Sequence, residues 1–236
     1  MQGSGGAEDG AVIFDLDGVL IDSEQVWDEV RERFVREHGG RWHPGAQRDM
    51  MGMSSTEWSR YLHEELGVPL SPAEISEAVA GLVAEAYGDG LPLLPGATEA
   101  VRRLGAGWPL GLATSSNRGI VDLVLDRAGL ADLFAVTVSS EEVERGKPAP
   151  DVYLDAARKL GVDPGVAVAI EDSTNGLLAA AAAGLGVVAV PNRAFPPAAH
   201  ALEAADVVLG SLDELTPAAI EAVAARRSRS GGGYRR

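Results

Sequence analysis

Two aspartates two residues apart, Asp15 and Asp17, follow a short apolar run, Ala11–Phe14, and precede Gly18. Side chains at i and i+2 of an extended segment point to one face, so both carboxylates would project together from a strand end. Carboxylates this close repel, and the pair persists only where a cation or a shared proton compensates. Asp-x-Asp-Gly is also turn chemistry and a fragment of calcium loops. The calcium reading needs further acidic ligands, and Val19, Leu20 and Ile21 supply no oxygens.

Three more stretches carry matching groups. Thr114, Ser115, Ser116 and Asn117 stand just ahead of a helical pattern. Hydroxyls and free backbone N–H groups at a helix start bind anions, although such residues are also ordinary caps. Lys147 is pinned in Gly146-Lys147-Pro148-Ala149-Pro150, and only Lys159 is a lysine besides it. A compact point charge there suits a phosphate clamp; a solvated lysine is the plainer alternative. Glu171 and Asp172 follow an apolar run directly, a poor surface turn unless a cation meets them, although Asp172 could instead cap the next helix. Taken together, Asp15, Asp17, Glu171 and Asp172 surround one position with hard oxygen ligands. That donor set suits Mg²⁺, which binds through a few carboxylates plus substrate phosphate.

These loops need strands and helices to hold them. Apolar runs at 11–14, 109–113, 135–138, 166–170, 187–190 and 206–209 alternate, after residue 95, with helical patterns near 97–104, 120–128, 151–160, 175–183 and 215–225. Buried strands alternating with helices predict a doubly wound parallel α/β sheet. Between Ser23 and Leu91 no strand pattern occurs; helices are expected near 25–38, 54–66 and 72–87, with Ser71 capping the last. The expected organisation is a flexible N-terminal tail over 1–10, an α/β core over 11–22 and 92–225, an inserted helical cap over 23–91, and a flexible basic tail over 226–236.

Composition narrows the function. The chain has 236 residues, no cysteine and a net charge of −15, with five arginines in its last eleven residues. The acidic body repels nucleic-acid phosphates and anionic membranes, so neither is an expected partner. Disulfides and thiolate metal sites are excluded. The first ten residues lack the basic start and apolar stretch of a signal peptide, which favours the cytoplasm. Nothing marks an oligomer interface, which favours a monomer.

The stretches DLDGVLIDSE, ATSSN, GKPAP and EDSTNG stand in the order and spacing of the haloacid dehalogenase superfamily, and over about residues 11–215 the sequence resembles its phosphatase branch with a small helical cap, related to β-phosphoglucomutase. The resemblance implies Mg²⁺-dependent hydrolysis of a small phosphate ester. Asp15 would attack phosphorus to give an aspartyl-phosphate. Asp17 would protonate the leaving alcohol and then deprotonate the attacking water. Thr114 and Lys147 would hold the phosphoryl oxygens, with Ser115, Ser116 and Asn117 supporting. Mg²⁺ would be ligated by the Asp15 side chain, the Asp17 backbone carbonyl and Asp172, with Glu171 at or just behind the ion.

True dehalogenases of the superfamily lack a carboxylate two residues after the nucleophile, so dehalogenation is not expected here. A sugar phosphomutase is the alternative. β-Phosphoglucomutases carry a His where this chain has Trp27, and a cap Arg where it has Ser55; the phosphatase reading is therefore preferred. The segments DSEQVWDE and LPLLPG are similar to bacterial hexitol-phosphate and 2-deoxyhexose-6-phosphate phosphatases, which points to a sugar or sugar-alcohol phosphate. Trp27, Arg31, Met51, Met53, Ser55 and Trp58 are candidates for the substrate wall, with Trp27 and Trp58 as plain cap core the competing reading. A receiver-like phospho-switch shares the acidic cluster, Mg²⁺ and lysine, but a capped site with Asp17 as acid and base argues against it.

Overall fold

The computed structural model describes residues 10–51, 53–88, 90–192 and 195–230. The apolar runs become six strands: β1 (Ala11–Phe14), β2 (Leu110–Thr114), β3 (Phe134–Ser139), β4 (Ala167–Glu171), β5 (Gly186–Ala189) and β6 (Val207–Val208). All pair in parallel, in the order β3-β2-β1-β4-β5-β6. Every residue of β1, β2, β4 and β5 is buried, because helices cover both faces. The chain direction across the sheet reverses between β1 and β4, and in open α/β sheets the crevice at that reversal holds the ligand.

Ten α-helices, with four three-residue 3-10 helices, complete the described chain: α1 (Glu24–Glu37), α2 (Ala46–Met50), α3 (Ser55–Glu64), α4 (Pro72–Gly88), α5 (Ala97–Gly105), α6 (Arg118–Ala128), α7 (Asp151–Leu160), α8 (Thr174–Ala182), α9 (Ala199–Leu202) and α10 (Pro217–Ser230). The period-two alternation of the strands sorts them. Val12, Phe14, Leu110, Leu112 and Ile170 pack with Val101, Val121 and Val223 of α5, α6 and α10. Ile13, Ala113, Ala167 and Ala169 face Val152, Tyr153, Leu177 and Ala180 of α7 and α8. Each buried Ile, Leu, Val or Phe side chain contributes about 1.5–3 kcal/mol.

Helices α1–α4 form the insert between β1 and β2. The stripe of α1 is Trp27, Val30, Arg31, Phe34 and Val35, all buried. Ser54 and Glu57 close a capping box on α3, and Ser71 and Glu74 do the same ahead of α4. The insert shares its apolar interior with one face of the sheet through Leu16, Val19, Leu20 and Ile21. Sequence periodicity does not mark α2 and α9, because five and four residues are too few to repeat a stripe.

The chain ends require corrections. Residues 1–9 of the expected N-terminal tail lie outside the described residues, and Gly10 is buried at the start of β1. At the other end, α10 continues to Ser230, past the expected start of a flexible tail at 226. Its arginines find carbonyls: Arg226 Nη1 donates to Asp206 O at 2.8 Å, and Arg227 Nη2 donates to Gly184 O at 2.8 Å. Arg227 also pairs with the Asp206 carboxylate at 3.4 Å. Truncation after Ala225 should therefore destabilise the fold by about 1–3 kcal/mol and lower Tm by about 2–8 °C, read in a thermal melt. An unchanged melt would mean that these contacts add nothing.

Candidate active site

Three strand ends and one loop converge at the reversal between β1 and β4. Asp15 follows β1, Thr114 ends β2, Glu171 ends β4, and Lys147 comes from the loop after β3. Lys147 is 3% exposed and its Nζ donates to Asp15 Oδ1 at 2.8 Å and to Glu171 Oε1 at 2.6 Å. The solvated-lysine reading is thereby replaced by a buried one. Burial alone would lower the Lys147 ammonium, but Asp15 and Glu171 hold its pKa above the usual lysine range. One ammonium proton remains for a further acceptor.

Glu171 is fully buried and saturated with donors. Its Oε1 also accepts from Tyr153 Oη at 2.9 Å. Its Oε2 accepts from the backbone N–H groups of Asp172 and Ser173 and from Ser173 Oγ, at 3.0–3.2 Å. Ser173, rather than Asp172, caps α8 by accepting from Gly176 N. That leaves the Asp172 carboxylate for other work, and its buried Oδ1 has no hydrogen-bond partner among the described residues.

Asp15, Glu171 and Asp172 offer ligand oxygens within 4.8 Å of one another. Burial pushes the Asp15 carboxyl up to about 8, against the pull of Lys147, with Glu171 and Asp17 adding repulsion. Burial and Glu171 likewise push Asp172 well above the carboxylate range. One lysine does not balance the cluster. An orphaned buried carboxylate oxygen amid hard ligands fits a divalent cation.

The Asp17 side chain stands apart from that group, held by hydroxyls. Ser23 Oγ donates to Oδ1 at 2.6 Å and Ser116 Oγ to Oδ2 at 2.7 Å, with Thr114 Oγ1 at 3.4 Å. Thr114 is fully buried and also accepts from Ser116 N at 3.0 Å, so its hydroxyl braces the loop from beneath. Ser115 and Ser116 line the cavity, and the buried Ser115 Oγ has no hydrogen-bond partner among the described residues.

Two expected residues point elsewhere. Asn117 Nδ2 donates to Ser76 Oγ at 3.0 Å and to Glu141 Oε1 at 2.7 Å. Ser55 Oγ donates to the same Glu141 oxygen at 3.1 Å. Both line a second cleft between the insert and α6, so Ser55 does not form the substrate wall and the Asn117 side chain does not face a phosphate. The reason is charge: Glu141 needs donors, and its Oε2 already accepts from Arg118 N at the start of α6.

The cavity over the cluster measures about 420 Å³ and includes Trp27, Arg31, Met51, Met53 and Trp58 from the insert. The competing core reading also holds, since Trp27 and Trp58 are buried against each other with ring centres 5.8 Å apart. Sequence reasoning missed Ser23, Tyr153, Glu24 and Arg48. Ser23 and Glu24 close the DLDGVLIDSE stretch, where a serine at a helix start reads as a plain cap, and Arg48 and Tyr153 lie outside all four stretches.

Glycines give the carboxylates room. A Cβ on Gly18, at φ +76°, would overlap the Asp172 carboxylate, and one on Gly176 would overlap that of Glu171. Gly176→Ala should displace Glu171, detach Lys147 and lower kcat by about 100-fold or more, with a lower Tm in the same preparation. Near-wild-type turnover would show that Glu171 does not position Lys147.

The sequence model of a family described as haloacid dehalogenase-like hydrolase matches residues 10–184. The bifunctional riboflavin kinase/FMN phosphatase of Arabidopsis thaliana is 34% identical over 203 residues, 85% of this chain; the chain spans about half of that protein, 53%. Hexitol phosphatase B of Escherichia coli K12 is 36% identical over 227 residues, covering 87% of this chain and 94% of that one. The crystal structure of CbbY from Rhodobacter sphaeroides in complex with phosphate superposes with a TM-score of 0.77 at 29% identity, covering 90% of this chain and 99% of that one.

Proposed function

The chain belongs to the haloacid dehalogenase-like hydrolase family, in its β-phosphoglucomutase-like phosphatase branch, and from this we propose a Mg²⁺-dependent phosphomonoesterase acting through an aspartyl-phosphate on Asp15. The observation that carries the reading is the buried Lys147 bridging Asp15 and Glu171 at the mouth of β1 and β4. An anionic nucleophile approaches an anionic phosphate only where positive charge offsets the repulsion. Lys147 supplies part of it within the protein itself.

Asp15 and Asp172 would hold Mg²⁺ with the backbone carbonyl of Asp17. Glu171, already saturated, would act from behind by fixing Lys147 and the Asp172 turn. When bound, the ion supplies charge neutralisation for the carboxylates and the phosphoryl oxygens. Ser115 Oγ and Lys147 Nζ offer the donors that the phosphoryl group needs, helped by backbone N–H groups at the start of α6.

In the first step, an oxygen of Asp15 bonds to phosphorus and the ester P–O bond breaks. The departing alkoxide takes a proton from Asp17. In the second step, water attacks phosphorus, gives its proton to Asp17, and releases inorganic phosphate and the free Asp15 carboxylate. The hydroxyls of Ser23 and Ser116 keep the Asp17 carboxyl beside the reacting centre.

The substrate proposed is a small sugar or sugar-alcohol phosphate. The similarity to a hexitol phosphatase supports that class, and a walled cavity of about 420 Å³ suits a molecule of that size. Trp27 and the remote Ser55 stand where the mutase pattern has its His and its cap Arg, so the phosphatase reading is preferred. Asp15→Asn should abolish phosphate release from a sugar-phosphate panel while leaving the circular dichroism spectrum unchanged. More than a few per cent residual turnover would remove Asp15 as nucleophile. EDTA should silence the enzyme and Mg²⁺ restore it; full activity without metal would remove the role given to Asp172.

A further inference from the structure

Two of the cations that line the cavity, Arg31 and Arg48, are left unexplained by the reaction, and Arg31 is the buried one. Glu24, Trp27 and Arg31 fall at i, i+3 and i+7 of α1, so a single helix face presents all three to the cavity. Arg31 is 7% exposed. Its guanidinium carbon sits 4.7 Å from the centre of the Trp27 ring and 4.9 Å from that of Trp58. The two indoles hold the flat group by cation–π attraction.

Among the described residues, no hydrogen bond or ion pair reaches this guanidinium, and its buried Nε has no partner. Burial pulls its pKa down to about 10, with Glu24 and Asp17 resisting, so it stays charged at neutral pH. The neighbouring stripe positions, Trp27, Val30, Phe34 and Val35, are apolar. A leucine or methionine would fill the Arg31 position without desolvating a charge. A rigid fork of five N–H donors placed there calls for an acceptor, and its strongest partner is a bidentate oxyanion.

The acidic neighbours do not close on it. Among the described residues no ion pair joins Arg31 to Glu24, Asp17 or Asp28, although Glu24 is the carboxylate that acts most strongly on its charge, and Glu24 Oε2 is taken by Gln47 Nε2 at 2.8 Å. Lys147 is engaged by Asp15 and Glu171 at the cavity floor. Arg48 also lines the cavity and adds a second positive charge from the insert.

We infer that Arg31 is the docking point for a second oxyanion, a carboxylate or a phosphate, carried at the end of the substrate remote from the reacting phosphoryl group. The inference rests on the phosphatase reading and, within its sugar and sugar-alcohol phosphates, favours those that carry a second acidic group, a carboxylate or a second phosphate.

Three probes isolate that end. Glucitol 6-phosphate, 6-phosphogluconate and glucitol 1,6-bisphosphate share a six-carbon chain and a 6-phosphate, and differ at C1 by hydroxyl, carboxylate or phosphate. Their Kd values are measured by calorimetry with Mg²⁺ in Asp15→Asn protein, with Arg31 intact and with Arg31→Gln or Arg31→Lys. With Arg31 intact, at least one anionic probe should bind about tenfold tighter than glucitol 6-phosphate, and which one does so identifies the group. Arg31→Gln should erase that preference while changing the neutral probe less than twofold, and Arg31→Lys should keep part of it.

Equal binding of all three probes by the Arg31 protein overturns the inference and needs no variant. Uniform weakening by Arg31→Gln overturns it too, since Arg31 would then merely hold the tryptophans. Absence of turnover by the Asp15 protein on every phosphate ester, with the anion preference intact, would count against the phosphatase reading alone.

Discussion

Too many carboxylates for one lysine is the constraint on which this structure turns. Asp15, Glu171 and Asp172 crowd the ends of two neighbouring strands, and Lys147 reaches two of them. Repulsion of this kind is tolerated only where the fold fixes each group. Glu171 is pinned by five donors from Lys147, Tyr153, Asp172 and Ser173. Gly18 and Gly176 leave space that any side chain would fill. Lys147 offsets the charge on Asp15 only in part and leaves that on Asp172, and burial drives both carboxylates toward protonation. A site built this way is poised for a cation and a phosphate together, since each makes room for the other.

The insert is tied to this centre through polar contacts that give up local capping. Asn117 occupies the cap position of α6 without capping it, because its amide reaches Ser76 of α4 and Glu141. Glu141 takes over, accepting from Arg118 N with one oxygen and from Ser55 of α3 with the other. A carboxylate at a helix N-terminus is favourable in itself. Here it also links α3 directly, and α4 through Asn117, to the loop that carries Ser115 and Ser116.

How legible was this in the sequence? The strands were readable because parallel strands covered on both faces leave unbroken apolar runs, and the loops because their residue types match one chemistry at four separate places. The individual functions of the loop residues were not. Thr114, Ser115, Ser116 and Asn117 look equivalent as a string, yet they brace, face the cavity, hold Asp17 and reach the insert, in that order. A loop of irregular dihedrals aims consecutive side chains in unrelated directions, and no periodicity records it. Tyr153 was hidden for another reason: as a buried aromatic on α7 it reads as core, and only the fold brings its hydroxyl to Glu171. The end of α10 escaped because arginine, serine and glycine dominate its tail, while the acceptors for Arg226 and Arg227 lie about 20 and 40 residues away in the chain.

Arg31 was legible in a different sense, as a charge at an apolar position of a helical stripe. Its place acquires meaning from the start of the same helix. Ser23 stands at the cap of α1 yet makes no capping bond, and its hydroxyl goes to Asp17 instead. An unused cap of this kind forgoes about 0.5–2 kcal/mol of helix stability, a loss that chain folding alone would not favour. The consequence is that one 14-residue helix meets the candidate acid and base through its cap residue and presents Arg31 about two turns later. Because a helix is rigid over that length, whatever group Arg31 grips is held in register with Asp17. On the proposed roles of Arg31 and Asp17, recognition of the remote end and proton transfer at the near end would be set by one element, and substrate choice would be a matter of alignment as well as affinity.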